Sequence, residues 1–406
     1  MGLSLDAIYN STSWAIQKQA RALSNLQEQA SSGQVLNRPS DNPIDAHRVL
    51  GLKTDNQTMD RQVGMIEDMV ATLMTGSLAT QNITRDLTYA LGQLTSGTTS
   101  SMPNQVAEAI NGTLEDILLQ VNWEQAGHQG GYFLFGGEKS DTPPYVAERD
   151  SNGDIIRVTY QGSSNERNVE VATGIEMSAV LVGDNLFRSD DRQTTEFASD
   201  LGSGTTTGAD VGTTASTVRG DHTLTVELQS GTTYRLSIDG GVSFVDVDII
   251  AGGADDVAVT HDTTGEILYV DTTGIARDGS ELVRAPGTYD IFNVLISARD
   301  LLRTAESSLP QGVWDNVIND TIGYMKNVED FVTEAFPIVG GRIGTLTNLQ
   351  ESLRDMQWNT EDEISRLQDA DIAQVAMDLA RHDVLYQMSL AVAAKMFKLS
   401  LLDFIA

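Results

Sequence analysis

Hydrophobic positions recur at helical spacing toward both ends of this chain and alternate with polar ones in its middle. Between Leu3 and Ala30, the residues Leu5, Ile8, Ala15, Ile16, Ala22, Leu23, Leu26 and Ala30 spread over one broad face, which predicts an amphipathic helix. Ser31-Ser32-Gly33 supplies a stop, and Pro39-Ser40-Asp41-Asn42-Pro43 a fresh start. From Asn42 to Thr95 apolar positions then alternate by three and four, through Val49, Leu52, Met59, Val63, Ile66, Val70, Leu73, Leu87, Leu91 and Leu94. That is the a/d seam of a coiled coil, interrupted by Asn56, Ser77, Thr80 and Thr84. At ~1.5 Å per residue the element would be a rod ~80 Å long. A shorter helix through Val106, Ile110, Leu114, Ile117 and Val121 stops near Gly127, ahead of the apolar segment Gly130–Gly137, which reads as a buried strand or turn.

From Pro143 to about Arg284 the period changes to two. Tyr145–Arg149 and Ile155–Tyr160 flank a hairpin turn at 150–154. Further strands are predicted at 222–228, 234–238, 242–249, 257–260 and 267–270, a set that suits a small sandwich or barrel. The Thr- and Gly-rich stretch 203–217 reads as a flexible lead-in. Helical spacing returns at Asp290, again from Trp314 to Ala335, and again from Ile343 to Met356. Pro337 with Gly340-Gly341 predicts a break, and Thr360, with Glu363 three residues on, predicts a new helix start.

The terminal stretch 360–406 carries the strongest signal. Ile372, Val375, Leu379, Tyr386, Leu390, Ala393, Phe397, Leu401 and Phe404 form one stripe, and Val384, Met388, Ala391, Leu399 and Leu402 a second. A helix apolar nearly all round is buried all round, and a chain terminus finds that much cover only against other chains. The expected class is therefore α+β: an elongated helical rod of coiled-coil-like long helices from the N- and C-terminal segments, with an inserted all-β domain. The divisions are 1–41 with 360–406 as a terminal assembly domain, 42–185 with 286–359 as the rod domain with its β-hairpin region, and 186–285 as a surface-exposed insert.

Charge narrows the functions. With 57 acidic and 26 basic residues the net charge is -31, which argues against nucleic acid and anionic membranes. Between Glu138 and Arg284 fall 26 acidic and 10 basic residues, so the β region is the acidic, solvent-facing part. There is no cysteine, hence no disulfide and no thiolate site. No run approaches the ~18–20 apolar residues of a membrane span, and the N-terminus lacks a signal-peptide pattern. The five histidines have no metal-ligand spacing, Asp246-Val-Asp248 is explained by strand alternation, and no catalytic motif is present. No catalytic, cofactor or metal residue is assigned.

Three segments carry a family resemblance. Ser31-Ser32-Gly33-Gln34-Val35-Leu36-Asn37-Arg38-Pro39-Ser40-Asp41-Asn42-Pro43 resembles the flagellin-superfamily signature, in the two-proline form typical of hook-associated junction proteins. Gly131-Tyr132-Phe133-Leu134-Phe135-Gly136-Gly137 with Thr142-Pro143-Pro144-Tyr145 resembles a second family segment. Asp369-Ala370-Asp371, Leu385-Tyr386-Gln387 and Ser400-Leu401-Leu402-Asp403 resemble the closing one, with Met388-Ser389 where the family has Ala-Ser. The resemblance implies a flagellin-like fold and a structural, non-enzymatic role at the hook–filament junction of an extracellular flagellum, reached by export without a cleaved signal peptide. It implies as partners further copies of the chain in a ring, the first hook-associated protein, flagellin and a flagellar export chaperone. The implied assembly residues are Leu5, Ile8, Ile16, Leu23, Leu26, Leu379, Tyr386, Leu390, Phe397, Leu401 and Phe404; the motif residues are Gly33, Arg38, Pro39, Ser40, Asp41, Pro43, Tyr132, Phe135 and Gly136. Alternatives are a variant flagellin, or an adhesive, carbohydrate-binding use of the β insert.

Overall fold

Long helices do form at both ends and antiparallel strands between them. The computed structural model describes residues 5–97, 102–125, 131–172, 174–178, 180–198, 201–204, 215–248, 253–304 and 311–405. Its helices are α1 (Leu5–Ser32), α2 (Pro43–Gly97), α3 (Pro103–Val121), α4 (Gly183–Phe187), α5 (Asn293–Thr304), α6 (Gln311–Gln368) and α7 (Ile372–Ile405). The first strands are β1 (Glu124–Gln125), β2 (Tyr132–Phe133), β3 (Tyr145–Arg149), β4 (Ile155–Tyr160), β5 (Asn168–Ala172), β6 (Ile175–Ser178) and β7 (Glu196–Phe197). They are followed by β8 (Gly220–Ser230), β9 (Thr233–Ser237), β10 (Val245–Asp248), β11 (Val257–Thr260), β12 (Ile267–Val270) and β13 (Gly279–Ala285). The chain divides into two compact units, Met1–Glu67 with Asn348–Ala406, and Asp68–Thr347.

In the first unit α2 starts where its sequence says. The Asn42 side-chain oxygen accepts the N–H groups of Ile44 and Asp45, and Pro43 fills the first turn, where no N–H is needed. This end of α2 runs antiparallel to the last turns of α6. Arg48 pairs with Glu363, Asn56 donates to Glu361 at 3.2 Å, and Arg354 pairs with Glu67 at 2.5 Å. These pairs are exposed and contribute little stability; they set register. Thr360 is not a helix start. It lies inside α6 with its hydroxyl turned back to the Met356 carbonyl, and the terminal helix begins only at Ile372.

In the second unit α2 buries Met69, Leu73, Gly76, Thr80, Ile83, Leu87, Ala90 and Leu94, a strict alternation of four and three. The sequence seam held Leu73, Thr80, Leu87 and Leu94 but placed Val70, Ser77, Thr84 and Leu91 where Met69, Gly76, Ile83 and Ala90 stand. The reason is close packing: a Cβ on Gly76 would lie 2.7 Å from a methyl carbon of Leu181. Hydrophobicity alone favours a large residue at a place where the fold requires none.

Pro337 does not end α6 either. The buried positions Thr321, Met325, Val328, Val332, Ala335 and Val339 keep one phase across it, while Pro337 and Thr333 sit on the exposed face. The Thr333 carbonyl that loses its helical partner can therefore bond to water, which lowers the cost of the proline. α3 stops at Val121, earlier than expected; Gly127 and Gly130 lie outside the described residues.

The hairpin β3–β4 and the strands at 257–260 and 267–270 form at the expected residues. The five-stranded antiparallel sheet has the order β10-β9-β8-β13-β7, and the pair β11-β12 packs on it through Val259, Leu268 and Val270 against Leu224, Val226, Leu236 and Val283. This is the small sandwich. Its inner strand β13 was not legible, because Glu281 and Arg284 break the alternation while being buried. Arg284 donates to the Val317 carbonyl at 3.0 Å and to the Thr321 hydroxyl at 2.7 Å, and Asp221 lies 3.6 Å away, so α6 supplies acceptors and β8 the opposite charge for a group that a local reading places in solvent. Of the expected flexible lead-in, 205–214 lie outside the described residues. Ser216 is buried, and Thr217 donates its N–H to the Ile267 carbonyl.

Asp290 caps α5 by accepting the N–H groups of Phe292 and Asn293, both at 2.7 Å. Complete burial, the main cause, pushes its carboxyl up to about 6, against the pull of those donors and of Arg188. The folded chain thus holds a proton that the unfolded chain has already released between about pH 4 and 6, so this residue's contribution falls as pH rises through that window. Asp290→Asn keeps the accepting oxygen and cannot ionise. It is expected to be more stable than the parent at pH 8, by up to about 3 kcal/mol, with no advantage at pH 4. Denaturant melts at the two pH values check this.

Candidate assembly surface

The segment that links α1 to α2 is held against the segment that links α6 to α7. Gly33 ends α1 at φ 72°, its N–H bonded to the Gln29 carbonyl at 2.9 Å. Its own carbonyl accepts Ala370 N–H at 2.8 Å, Val35 N–H reaches the Gln368 carbonyl at 2.7 Å, and Gln34 bridges Asp369. Arg38 pairs with Glu28 of α1 at 3.1 Å, and its N–H donates to Asp41 at 2.8 Å. Asp371 then caps α7, accepting from Ala373 and Gln374 at 3.0 and 3.1 Å. Gly33, Arg38, Asp41 and the Pro43 start are thereby joined to Asp369 and Asp371, so two distant motifs form one clasp that seats α7 beside α1. Pro39 and Ser40 occupy the exposed turn within it.

On α7 the half-buried positions Leu379, His382 and Tyr386 continue from buried Val375 in steps of four and three. On α1 they are Ile16, Gln19, Leu23 and Leu26, and the His382 Nδ1 and Gln19 Oε1 lie 2.7 Å apart. Leu390 is off this seam and 43% exposed. The side chains of Leu5, Ile8, Phe397, Leu401 and Phe404 lie outside those described.

The opposite face of α7 stays apolar and open. Met377, Val384 and Met388, at steps of seven and four, are 61%, 55% and 60% exposed, with Val392 beyond them. Val384 and Met388 were legible as a second stripe; Met377 and Val392 were not, although the same spacing reaches them. Trp14 on α1 and Trp358 on α6 are also exposed, and no periodic signal marks either.

The remaining motif lies in the second unit. Tyr132 and Thr72 share a hydroxyl hydrogen bond of 2.8 Å. Phe135 is fully buried, its ring edge-on to Phe187 at 5.0 Å, and its carbonyl accepts the Tyr160 hydroxyl and the Gly183 N–H. A Cβ on Gly136 would collide with the Lys139 carbonyl. These residues hold a core together and are not part of the surface.

The bacterial flagellin N-terminal helical region matches residues 4–139. That match covers the N-terminal third of this chain. Among solved structures, flagellar hook associated protein-3 from Legionella pneumophila aligns with a TM-score of 0.50 at 17% identity, over 78% of this chain and 98% of that one. FlgL from Xanthomonas campestris aligns at 0.47 and 16%, over 75% and 98%. The flagellar junction protein FlgL from Legionella pneumophila aligns at 0.46 and 16%, over 79% and 100%. No curated protein matches. The fold is therefore that of the Legionella hook-associated protein, with long terminal helices around a central antiparallel β region. Among the described residues no helix is long and apolar enough to cross a membrane.

Proposed function

We propose that this chain is a structural subunit of the bacterial flagellum that assembles at the boundary of hook and filament through α1 and α7. The observation that carries the reading is the open apolar face of α7, on a chain whose N-terminal third matches the flagellin N-terminal helical region. α7 is already covered on one side by α1, so its other side is left for neighbours. A fully buried Leu or Met contributes roughly 1.5–3 kcal/mol, so each half-exposed residue of this face gains roughly 1 kcal/mol on burial, summed over every copy in an assembly.

In this reading 1–41 with 360–406 is the assembly module, its terminal helix starting at Ile372 beside the clasp. The residues 42–185 with 286–359 form its support, and 186–285 is an insert turned to solvent. The neighbours are further copies in a ring, the first hook-associated protein on one side and flagellin on the other, after delivery by an export chaperone without signal cleavage. Gold-labelled antibody to this chain is expected to mark only the hook–filament boundary in electron micrographs. Label along whole filaments would make it a filament subunit instead, and no label on flagella would end the proposal.

A further inference from the structure

A partly buried polar cluster joins the β3–β4 hairpin to the sandwich. Arg157 on β4 places Nη2 2.7 Å from Nε2 of His261, which follows β11. Guanidinium offers only donors, so Nε2 must accept and the neutral ring carries its proton on Nδ1. That Nδ1 is buried and has no partner among the described residues. The ring of His222, on β8, meets that of His261 at 6.3 Å, edge to face. Its Nε2 lies 3.1 Å from the Arg219 carbonyl, which can only accept, and 3.9 Å from a Glu266 oxygen. Around the pair stand Asp221 beside His222, Glu266 on the β11–β12 turn, and Glu148 on β3, which holds Arg157 at 3.5 Å.

We propose that Arg157, His261 and His222 form an acid-sensitive latch that holds the β3–β4 hairpin to the sandwich and opens when an imidazole gains a proton. A proton on His261 Nε2 removes the closer of the two acceptors, His261 and Glu148, that Arg157 meets among the described residues, and sets two cations at hydrogen-bond distance. A proton on His222 puts a second cation beside His261 on a ring whose side chain is only 12% exposed. Burial, the largest cause, holds His222 below its usual 6.5, with His261 acting in the same sense and Glu266 and Asp221 against it. At His222 the folded chain therefore binds less proton than the unfolded one below about pH 6.5, so the latch is closed above that value and weakens as pH falls.

Asp290 titrates in the opposite sense, so the test must be local. Hydrogen exchange of the full chain, corrected for intrinsic rates, is compared at pH 7.5 and 5.5. In the parent, amides of 145–160 and 257–270 are expected to open about tenfold more at the lower pH, with α6 unchanged. In His222→Gln/His261→Gln the two pH values should give equal protection. Arg157→Met keeps both histidines but removes the opposing guanidinium, and its acid response should be smaller than the parent's even if the double variant does not fold. A parent without the local acid response, or an Arg157→Met response as large as the parent's, overturns the proposal.

Discussion

Met388→Asp leaves the isolated chain as stable as its parent, within about 1 kcal/mol, and removes it from assembled flagella. Met388 faces away from the seam with α1 and is mostly exposed, so a carboxylate there is solvated in the single chain. In an assembly the same carboxylate would be buried among Met377, Val384 and Val392 of its own helix and whatever covers them. An unpaired buried charge costs several kcal/mol, and the lost apolar contact adds roughly 1. A penalty of about 3 kcal/mol lowers an association constant about 100-fold, and a repeated interface applies it at each subunit. Thermal melting of the purified variant and its incorporation in a strain lacking the parent chain are the two measurements. Normal incorporation would show that this face of α7 is not the interface; a collapsed melting point would show that it supports the fold.

Phe135→Ala should act in the opposite place. Phe135 is fully buried, packs on Phe187, and positions the carbonyl that receives Tyr160 and Gly183. Deleting a buried phenyl ring costs about 3–5 kcal/mol, because a cavity remains after the transfer loss. For a unit of this size that lowers the melting temperature by about 6–15 °C. Phe135→Leu, which refills most of the volume, should lose about 1–2 kcal/mol. Calorimetry separates the outcomes: a melting point for Phe135→Ala within ~2 °C of the parent would remove the motif's Tyr132–Gly137 segment from the core and reopen a direct role in assembly.

The two variants divide the family motifs by physical role. The Gly33–Pro43 and Asp369–Asp371 segments were readable as motifs, yet nothing in either spacing indicates that they bond to each other. Their pairing depends on backbone groups, on the Val35 N–H and the Gly33 carbonyl, which any residue possesses and no pattern records. The Phe135 segment was readable as buried because four large apolar residues between glycines have few other uses.

By itself the sequence determined that long helices form toward both ends with strands between them, which helix is apolar on two faces, and the α+β class. All of these follow from periodicity and capping, which are local. Only the tertiary structure decided the seam register through Gly76, the continuity of α6 through Pro337, the start of α7 at Ile372 and the burial of Arg284 in β13. In each case a partner distant in sequence outweighs the local preference. Leu181 needs the space that a larger residue at Gly76 would fill, α6 keeps its buried phase across a proline that faces water, the clasp and Asp371 set the start of α7, and Val317 with Thr321 supplies the acceptors of Arg284. Amphipathic spacing says that a face must be covered. What covers it is decided by close approach between elements, and that depends on shape, which hydrophobicity does not measure.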